Sequence, residues 1–175
     1  MYKAGEVVHS SFFLADALDV APHLLKMQLV RQFNNEQIIK LQITEVEIYR
    51  GEEDLGCHAS KGRTPRTEVM YLPGGCIYVY LIYGMYWLLN ITTGPENHPQ
   101  AILIRGTKEI QGPGRIGRAL ELDKSFYGEE INSSDRLWLE WCPLYNSGKY
   151  QTLPRVGIHY AGEYWANIPW RLKSF

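Results

Sequence analysis

Residues 71–90 read Y-L-P-G-G-C-I-Y-V-Y-L-I-Y-G-M-Y-W-L-L-N, and the way this run folds decides the architecture of the chain. From Ile77 to Ile91 every position is apolar or aromatic except Gly84 and Asn90. The run is too short and too rich in tyrosine to cross a bilayer. Pro73-Gly74-Gly75 supplies turn chemistry at its start, and β-branched and aromatic residues fill positions 77–82 and 85–91 on either side of Tyr83-Gly84. Strand, turn, strand is the economical reading. It puts Tyr83 at a hairpin tip, where an aromatic ring either packs on a neighbouring loop or acts as a wedge for something planar, such as a base stack.

Working outward, Asp19 followed by Val-Ala-Pro predicts a short helix with Asp19 as its cap and Pro22 in its first turn. The run M-Q-L-V-R-Q-F from Met27 and the alternating residues 37–49 flank a turn at Asn34-Asn35-Glu36, which predicts an antiparallel pair. Residues 51–66 have no periodicity and are rich in Gly, charge and Pro, so they read as a long structured loop of the kind that often carries function. Downstream, residues 101–105 form a buried strand with a charged end. Residues 112–117, G-P-G-R-I-G, match a dinucleotide-binding pattern in form only, with no βαβ unit around them. What survives is a helix over residues 115–120 whose N-terminus is either a phosphate site or a plain helix start. Residues 137–141 read as a strand and residues 155–170 as a Gly-punctuated closing segment. Locally paired strands without alternating helices indicate an α+β fold with a largely antiparallel sheet.

The 175 residues fit one domain, and 45% hydrophobic against 21% charged residues describes a globular protein with a normal core. Twelve tyrosines suit a site that must stack against something and stay wet. A net charge of −1 argues against strong nonspecific binding to polyanions, yet residues 61–175 hold thirteen Lys or Arg against ten Asp or Glu, so a basic face can form there. Cys57, Cys76 and Cys142 lack any C-x-x-C spacing, which points to reduced thiols rather than disulfides or zinc. No signal peptide is visible, and neither export nor membrane insertion is expected.

In T-E-V-E-I-Y the period of two sets Glu45, Glu47 and Tyr49 on one face and Val46 and Ile48 on the other. Glutamates on a strand are ordinarily solvated; what distinguishes Glu47 is its company, with Tyr49 beside it and His58 in the following loop. His58 read alone is a structural histidine, and Cys57-His58 has no second cluster with which to hold a metal. No Ser stands in a G-x-S-x-G elbow, and sequence neighbours among Glu45, Glu47, Glu52, Glu53 and Asp54 do not establish a glycosidase-type carboxylate pair.

The run E-V-E-I-Y-R-G-E-E-D-x-x-x-H, then R-T-P-R, I-Y-V-Y-L-I-Y-G-M-Y-W-L-L-N, I-L-I-R, G-P-G-R, D-K-S-F and R-V-G-I-x-Y-A-G-E, resemble in this order the alkyladenine (3-methyladenine) DNA glycosylase family of base-excision repair. The resemblance runs from about Phe12 to Leu172. It implies a single domain over residues 1–175 with a curved sheet, flanking helices and a protruding β-hairpin, similar to the C-terminal domain of methionyl-tRNA formyltransferases. It further implies a monofunctional enzyme that flips damaged purines (3-methyladenine, 7-methylguanine, hypoxanthine) out of double-stranded DNA and hydrolyses the N-glycosidic bond. No cofactor and no metal are implied, and the protein is expected to be a monomer, cytoplasmic and nucleoid-associated in a bacterium or nuclear in a eukaryote. The matching part starts almost at the first residue, without the N-terminal extension of animal members, which points to a compact bacterial version.

By the same resemblance Glu47 is the general base that activates water, and Arg105 helps hold that water and the nearby phosphate. Tyr49 forms one wall of the base pocket and His58 with Tyr80 the other, with His58 facing position 6 of the purine. Asn90 blocks the 2-amino group of guanine. Tyr83 enters the gap left by the flipped nucleotide, Met85 and Tyr86 lie beside it in the minor groove, and Arg63, Arg66 and Arg115 are phosphate contacts. Trp87-Leu88-Leu89 replaces smaller residues beneath the pocket, and the loop after His58 is one residue shorter than in animal members, which bears on lesion range. Two other readings compete: a noncatalytic damage-recognition module, and a tRNA-handling domain.

Overall fold

A computed structural model describes residues 3–142 and 149–175. Its organising element is β2 (Ile38–Arg50), a thirteen-residue strand that pairs with three others. Along one edge it meets β1 (Met27–Gln32) and then β8 (Arg171–Ser174); along the other it meets β5 (Gln100–Thr107). Outward from β5 lie β4 (Tyr86–Thr93) and β3 (Ile77–Ile82); β6 (Leu137–Trp141) borders β1, and β7 (Tyr150–Leu153) borders β8. Among the described residues the eight strands join one sheet, every pair antiparallel, so the fold is α+β as the sequence predicts.

The alternation in β2 is not continuous, and the break is what creates a site. Leu41 and Ile43 face the core, and so do Val46 and Ile48, so the apolar phase slips by one residue between Ile43 and Val46. A bulge absorbs the slip, with register shifts on both sides of Glu45 in the pairing with β5. Because side chains alternate with a period of two, one extra residue moves every later side chain to the opposite face. Glu45, Glu47 and Tyr49 therefore point away from the main core.

That core lies on the other face, where Val46, Ile48, Val79, Leu89, Ile91, Ile102 and Ile104 pack beneath two helices. The first, α1 (Ala17–Leu24), contributes Val20, Ala21 and Leu24, and the second, α2 (Pro113–Ala119), contributes Ile116. α1 is capped by Asp16 and not by Asp19: the Asp16 carboxylate accepts the Leu18 N–H at 3.0 Å, which puts Asp19 in the first turn and Pro22 well inside the helix. Asp16 also pairs with Arg50 at 2.8 Å, a partner that sequence spacing could not show. α2 begins at Pro113, two residues before the predicted start, because a proline at N1 forgoes an N–H that has no helical partner there. It presses close on β4: a Cβ at Gly117 would lie 1.8 Å from the Trp87 carbonyl oxygen.

The hairpin forms as predicted, with Ile77 opposite Ile91 and Ile82 opposite Tyr86. Tyr83 and Gly84 at its tip both have positive φ, 54° and 66°, and the Met85 N–H reaches the Ile82 carbonyl at 3.2 Å. The two left-handed residues make a tight turn from Ile82 to Met85, and Met85 is the extra residue before pairing resumes at Ile82 opposite Tyr86. Across the sheet from the main core, residues 51–72 fold into short 3-10 turns (His58–Lys61 and Glu68–Tyr71) over a smaller cluster of Cys57, Ala59, Met70 and Tyr78. The closing segment is subdivided further than its sequence suggests: after β7 it forms a short helix, α3 (Glu163–Asn167), and then β8, whose R-L-K-S has no apolar alternation to announce a strand. Among the described residues no helix is long and apolar enough to cross a membrane.

Candidate active site

One row of paired residues crosses the sheet on the face opposite the main core: Tyr78, Asn90, Leu103, Glu47 and Arg171, each directly opposite the next on β3, β4, β5, β2 and β8. Residues two positions along the same strands share that face, which adds Tyr80, Arg105 and Tyr49. Ala101 stands opposite Tyr49, so the ring has a small neighbour on the adjacent strand. The loop over residues 56–58 and the segment over residues 156–158 cover the row from outside, and together they enclose a cavity of about 410 Å³.

At its foot lies Glu47, with 0% of its side chain exposed. Its Oε1 accepts the Val156 N–H at 2.8 Å and stands 3.6 Å from Arg105 Nε, and its Oε2 accepts the Tyr49 hydroxyl at 2.9 Å. Burial raises the pKa of Glu47 above the ordinary value of 4.5, against the opposing pull of Arg105, the Val156 amide and the Tyr49 hydroxyl. The carboxylate is therefore held in place yet kept basic. Glu45, on the same face, is instead ringed by cations: Arg171 at 2.8 Å, Arg105 at 3.4 Å and Lys173 at 3.6 Å. Of the two glutamates, Glu47 alone lines the cavity.

The walls are aromatic. Tyr49 stands on one side; His58 and Tyr80 meet edge to face with ring centres 4.6 Å apart. His58 is fixed by a 2.7 Å contact between its Nδ1 and the Tyr78 hydroxyl, and burial together with Arg66 holds its pKa down to about 4, so the imidazole is neutral near pH 7. Burial pushes the Tyr49 and Tyr80 phenols up, so both stay protonated. Asn90 is buried and donates to the Tyr78 carbonyl at 3.1 Å. Of Trp87-Leu88-Leu89 only Leu88 reaches the cavity, since Leu89 is in the core and Trp87 packs against it.

The remaining predicted residues divide. Tyr83 is 85% exposed at the cavity's outer lip, and Met85, 59% exposed, shares the tip but does not line the cavity. Tyr86 is half-buried, its ring lying under Arg118 at 5.2 Å and so close over α2 that a Cβ at Gly114 would meet it at 2.9 Å. Arg66 lies at the mouth, its guanidinium 5.1 Å from the centre of the Tyr80 ring and 3.4 Å from His58 Nε2. Arg115 is exposed in a groove beside Tyr83 and Tyr86. Arg63 is set apart from both, engaged by Glu68 at 2.7 Å and by Asn97. Among the described residues no three His, Cys, Asp or Glu side chains group as a metal site.

Two residues hold the site together: Asp54, which the sequence suggested only as one of several candidate carboxylates, and Arg155, which it did not single out. Arg155, next to Val156, makes a two-pronged contact with Asp54 at 2.6 and 2.8 Å, and both side chains are wholly buried. Arg155 also donates to the Ile48 carbonyl at 3.0 Å and lies over the Tyr49 ring at 4.9 Å. Asp54 in turn accepts the Arg50 and Gly56 N–H groups, so the pair ties the loop carrying His58 to the segment carrying Val156. The signal for it was present in G-E-E-D and R-V-G-I, but 101 residues separate the partners.

These groups can together perform acid–base chemistry on a flat ring: a buried basic carboxylate with Arg105 at the foot of a cavity walled by aromatic faces, and Arg66 at its mouth. Comparison with known proteins gives the class. The family described as Methylpurine-DNA glycosylase (MPG) matches residues 11–111 and 107–174. The chain is 35% identical to a protein of Psychrobacter cryohalolentis over 91% of its own length and 88% of the relative's, and 38% identical to one of Natranaerobius thermophilus over 91% of each. A Legionella pneumophila protein is 42% identical over 89% of this chain and 87% of its own. All three relatives carry, provisionally, the name 3-methyladenine DNA glycosylase. The protein is thus a DNA glycosylase, a hydrolase of N-glycosyl bonds that serves DNA repair. The chain belongs to the methylpurine-DNA glycosylase family.

Proposed function

We propose that the protein removes 3-methyladenine, 7-methylguanine and hypoxanthine from double-stranded DNA by flipping the damaged nucleotide into this cavity and hydrolysing its glycosidic bond with water. The observation that carries the reading is Glu47, a fully buried carboxylate with a raised pKa, set between an amide, a phenol and a guanidinium at the foot of an aromatic cavity. In this reading Glu47 takes a proton from water as the bond to the base loosens, and Arg105 steadies the water and the adjoining phosphate. Tyr49 stacks on one face of the purine, with His58 and Tyr80 on the other, each base–ring contact contributing about 1–3 kcal/mol. An electron-poor alkylated ring gains more from those faces than a normal one does. Asn90, fixed by its bond to the Tyr78 carbonyl, excludes the 2-amino group of guanine. With water as the nucleophile and no lysine in the cavity lining, the product is an abasic site without strand cleavage. The test is incubation with duplexes containing one 3-methyladenine or hypoxanthine, scored for released base and abasic sites. No release from any alkylated or deaminated duplex defeats the reading.

Flipping costs a few kcal/mol, less at a mispaired base. Tyr83 would offset part of that cost by filling the vacated gap, with Met85 and Tyr86 beside it at the minor groove. The hairpin turn accounts for the positive φ of Tyr83 but leaves its ring in solvent, 85% exposed, which fits a group reserved for DNA. Tyr83→Ala should therefore lower excision from fully paired duplex about tenfold, a loss within the range of one stacked ring, while leaving single-stranded and mismatched substrates nearly unchanged. Equal losses on all three substrates would sink the wedge.

Arg66 and Arg115, both exposed and each sharing a hollow with Tyr83, are the phosphate contacts best placed to act, whereas Arg63 would first have to leave Glu68. Each phosphate contact steepens the dependence of binding on salt by about 0.9 in log–log slope. Arg66→Ala and Arg115→Ala should each flatten that slope by about this amount, and Arg63→Ala by less. An unchanged slope in both of the first two variants removes the assignment. The protein is proposed to act as a monomer, a point that sedimentation with and without DNA settles.

A further inference from the structure

We infer that Tyr78 governs which hydrogen-bonding edge His58 presents to the occupant of the cavity, so that one pocket accepts purines with either an amino or an oxo group at position 6. The inference rests on the proposed function and adds to it a positioning residue for substrate range. His58 Nδ1 faces inward, 2.7 Å from the hydroxyl of Tyr78, and Tyr78 is buried with its carbonyl held by Asn90. Nε2 is the outward nitrogen, reached at 3.4 Å by the exposed Arg66 at the mouth, and it is the one an occupant can meet.

A neutral imidazole carries one N–H and one lone pair, and its two nitrogens must divide them. His58 is neutral because burial and Arg66 hold its pKa down to about 4, and Tyr78 keeps its proton because burial pushes its phenol up. A hydroxyl, unlike a carbonyl or an amide N–H, can both donate and accept. When the Tyr78 O–H donates to Nδ1, the imidazole proton is on Nε2, and the outer edge donates. When Nδ1–H donates to the Tyr78 oxygen, Nε2 bears a lone pair and the outer edge accepts. A 6-oxo purine such as hypoxanthine or 7-methylguanine needs the first arrangement; a 6-amino purine such as 3-methyladenine needs the second. The change requires that the hydroxyl proton turn and the imidazole proton exchange through water at the mouth, and, because a guanidinium only donates, that the exposed Arg66 swing away from Nε2 when Nε2 carries the proton.

Tyr78→Phe removes the hydroxyl and little else. Nδ1 then faces a hydrocarbon ring, and because a buried N–H without a partner is tolerated less well than a buried lone pair, the proton settles on Nε2. The variant should lose excision of 3-methyladenine about tenfold more than excision of hypoxanthine in the same duplex context, the effect of one hydrogen bond. Nitrogen-15 NMR of the free proteins should show His58 mainly as the Nδ1–H form in the wild type, with Tyr78 accepting from Nδ1 and Arg66 donating to Nε2, and as the Nε2–H form in the variant. Equal losses on both bases, or the same His58 tautomer in both proteins, overturns the inference while the glycosylase reading stands. A wild type that releases neither base overturns both.

Discussion

Glu47→Gln is expected to slow base release by about 10² to 10⁴, the usual contribution of a general base, while the protein folds, binds lesion DNA and melts no lower than the wild type. The amide fits the hydrogen-bonding pattern: its oxygen keeps the Val156 N–H, and its nitrogen donates to the Tyr49 oxygen, which accepts as readily as it donates. Arg105 retains Glu45 at 3.4 Å, so no cation is stranded. The sign of the stability change follows from the raised pKa of Glu47. Burial disfavours its ionised form, so above the ordinary value of 4.5 the wild type carries a cost that a neutral amide does not. Activity has the opposite dependence. The wild-type single-turnover rate should climb as Glu47 loses its proton, with an acid limb above 4.5, and that limb should be missing from whatever activity the variant keeps. His58, held at about 4, titrates too low to account for such a limb. A variant that excises at the wild-type rate, or one that retains the limb, would remove Glu47 from the chemistry. Loss of catalysis with gain of stability is the signature of a group placed for function at the expense of the fold.

The parts of this architecture that were legible in the sequence are those where local chemistry and global placement agree. The hairpin is one: turn residues, β-branched runs and the Tyr83-Gly84 dipeptide all favour the same geometry, and its register follows. The face shared by Glu45, Glu47 and Tyr49 is another, since alternation over so few residues needs no knowledge of the partner strand. What escaped was set by distant partners. The phase slip between Ile43 and Val46 is visible in the string once the core is known, but a single misplaced apolar residue looks like noise until β5 fixes the register on both sides. Asp16 outcompetes Asp19 as the cap of α1 in a context where Arg50 and Gln100 also bind it. β8 is recruited by the exposed edge of β2 rather than by any strand-forming tendency of its own. For the site, residue types and spacing alone gave Glu47 only its company, Tyr49 beside it and His58 in the next loop, and left His58 a structural histidine. It was the ordered family motifs that implied roles for them, and the loop over residues 56–58, folded over the row across five strands, that brings His58 into the same cavity as Glu47.

Asp54→Ala and Arg155→Ala should each destabilise the protein by about 3–5 kcal/mol, because removing either partner leaves the other charge buried and uncompensated. For a domain of this size that corresponds to a melting temperature lower by roughly 6–20 °C. Asp54→Asn offers no refuge. Both carboxylate oxygens are accepting, Oδ1 from Gly56 N–H and Arg155, Oδ2 from Arg50 N–H and Arg155, so an amide nitrogen in either place would confront two donors. Replacing both partners at once, Asp54→Leu with Arg155→Met, should cost less than the two single changes added together, since no buried charge is then left alone. The exposed pair Arg63–Glu68 has a comparable contact of 2.7 Å and provides the contrast: solvent screens it, and Arg63→Ala should leave the melting temperature nearly unchanged. The loss at Arg155 also reaches the chemistry. Val156, the next residue, gives its N–H to Glu47, and Tyr49 rests against the Arg155 guanidinium, so excision by the single variants should fall even at temperatures where they remain folded. Melting within about a degree of the wild type, less than the shift of a single kcal/mol in a chain this long, would show that solvent reaches the pair and that the two loops over the cavity are held by something else.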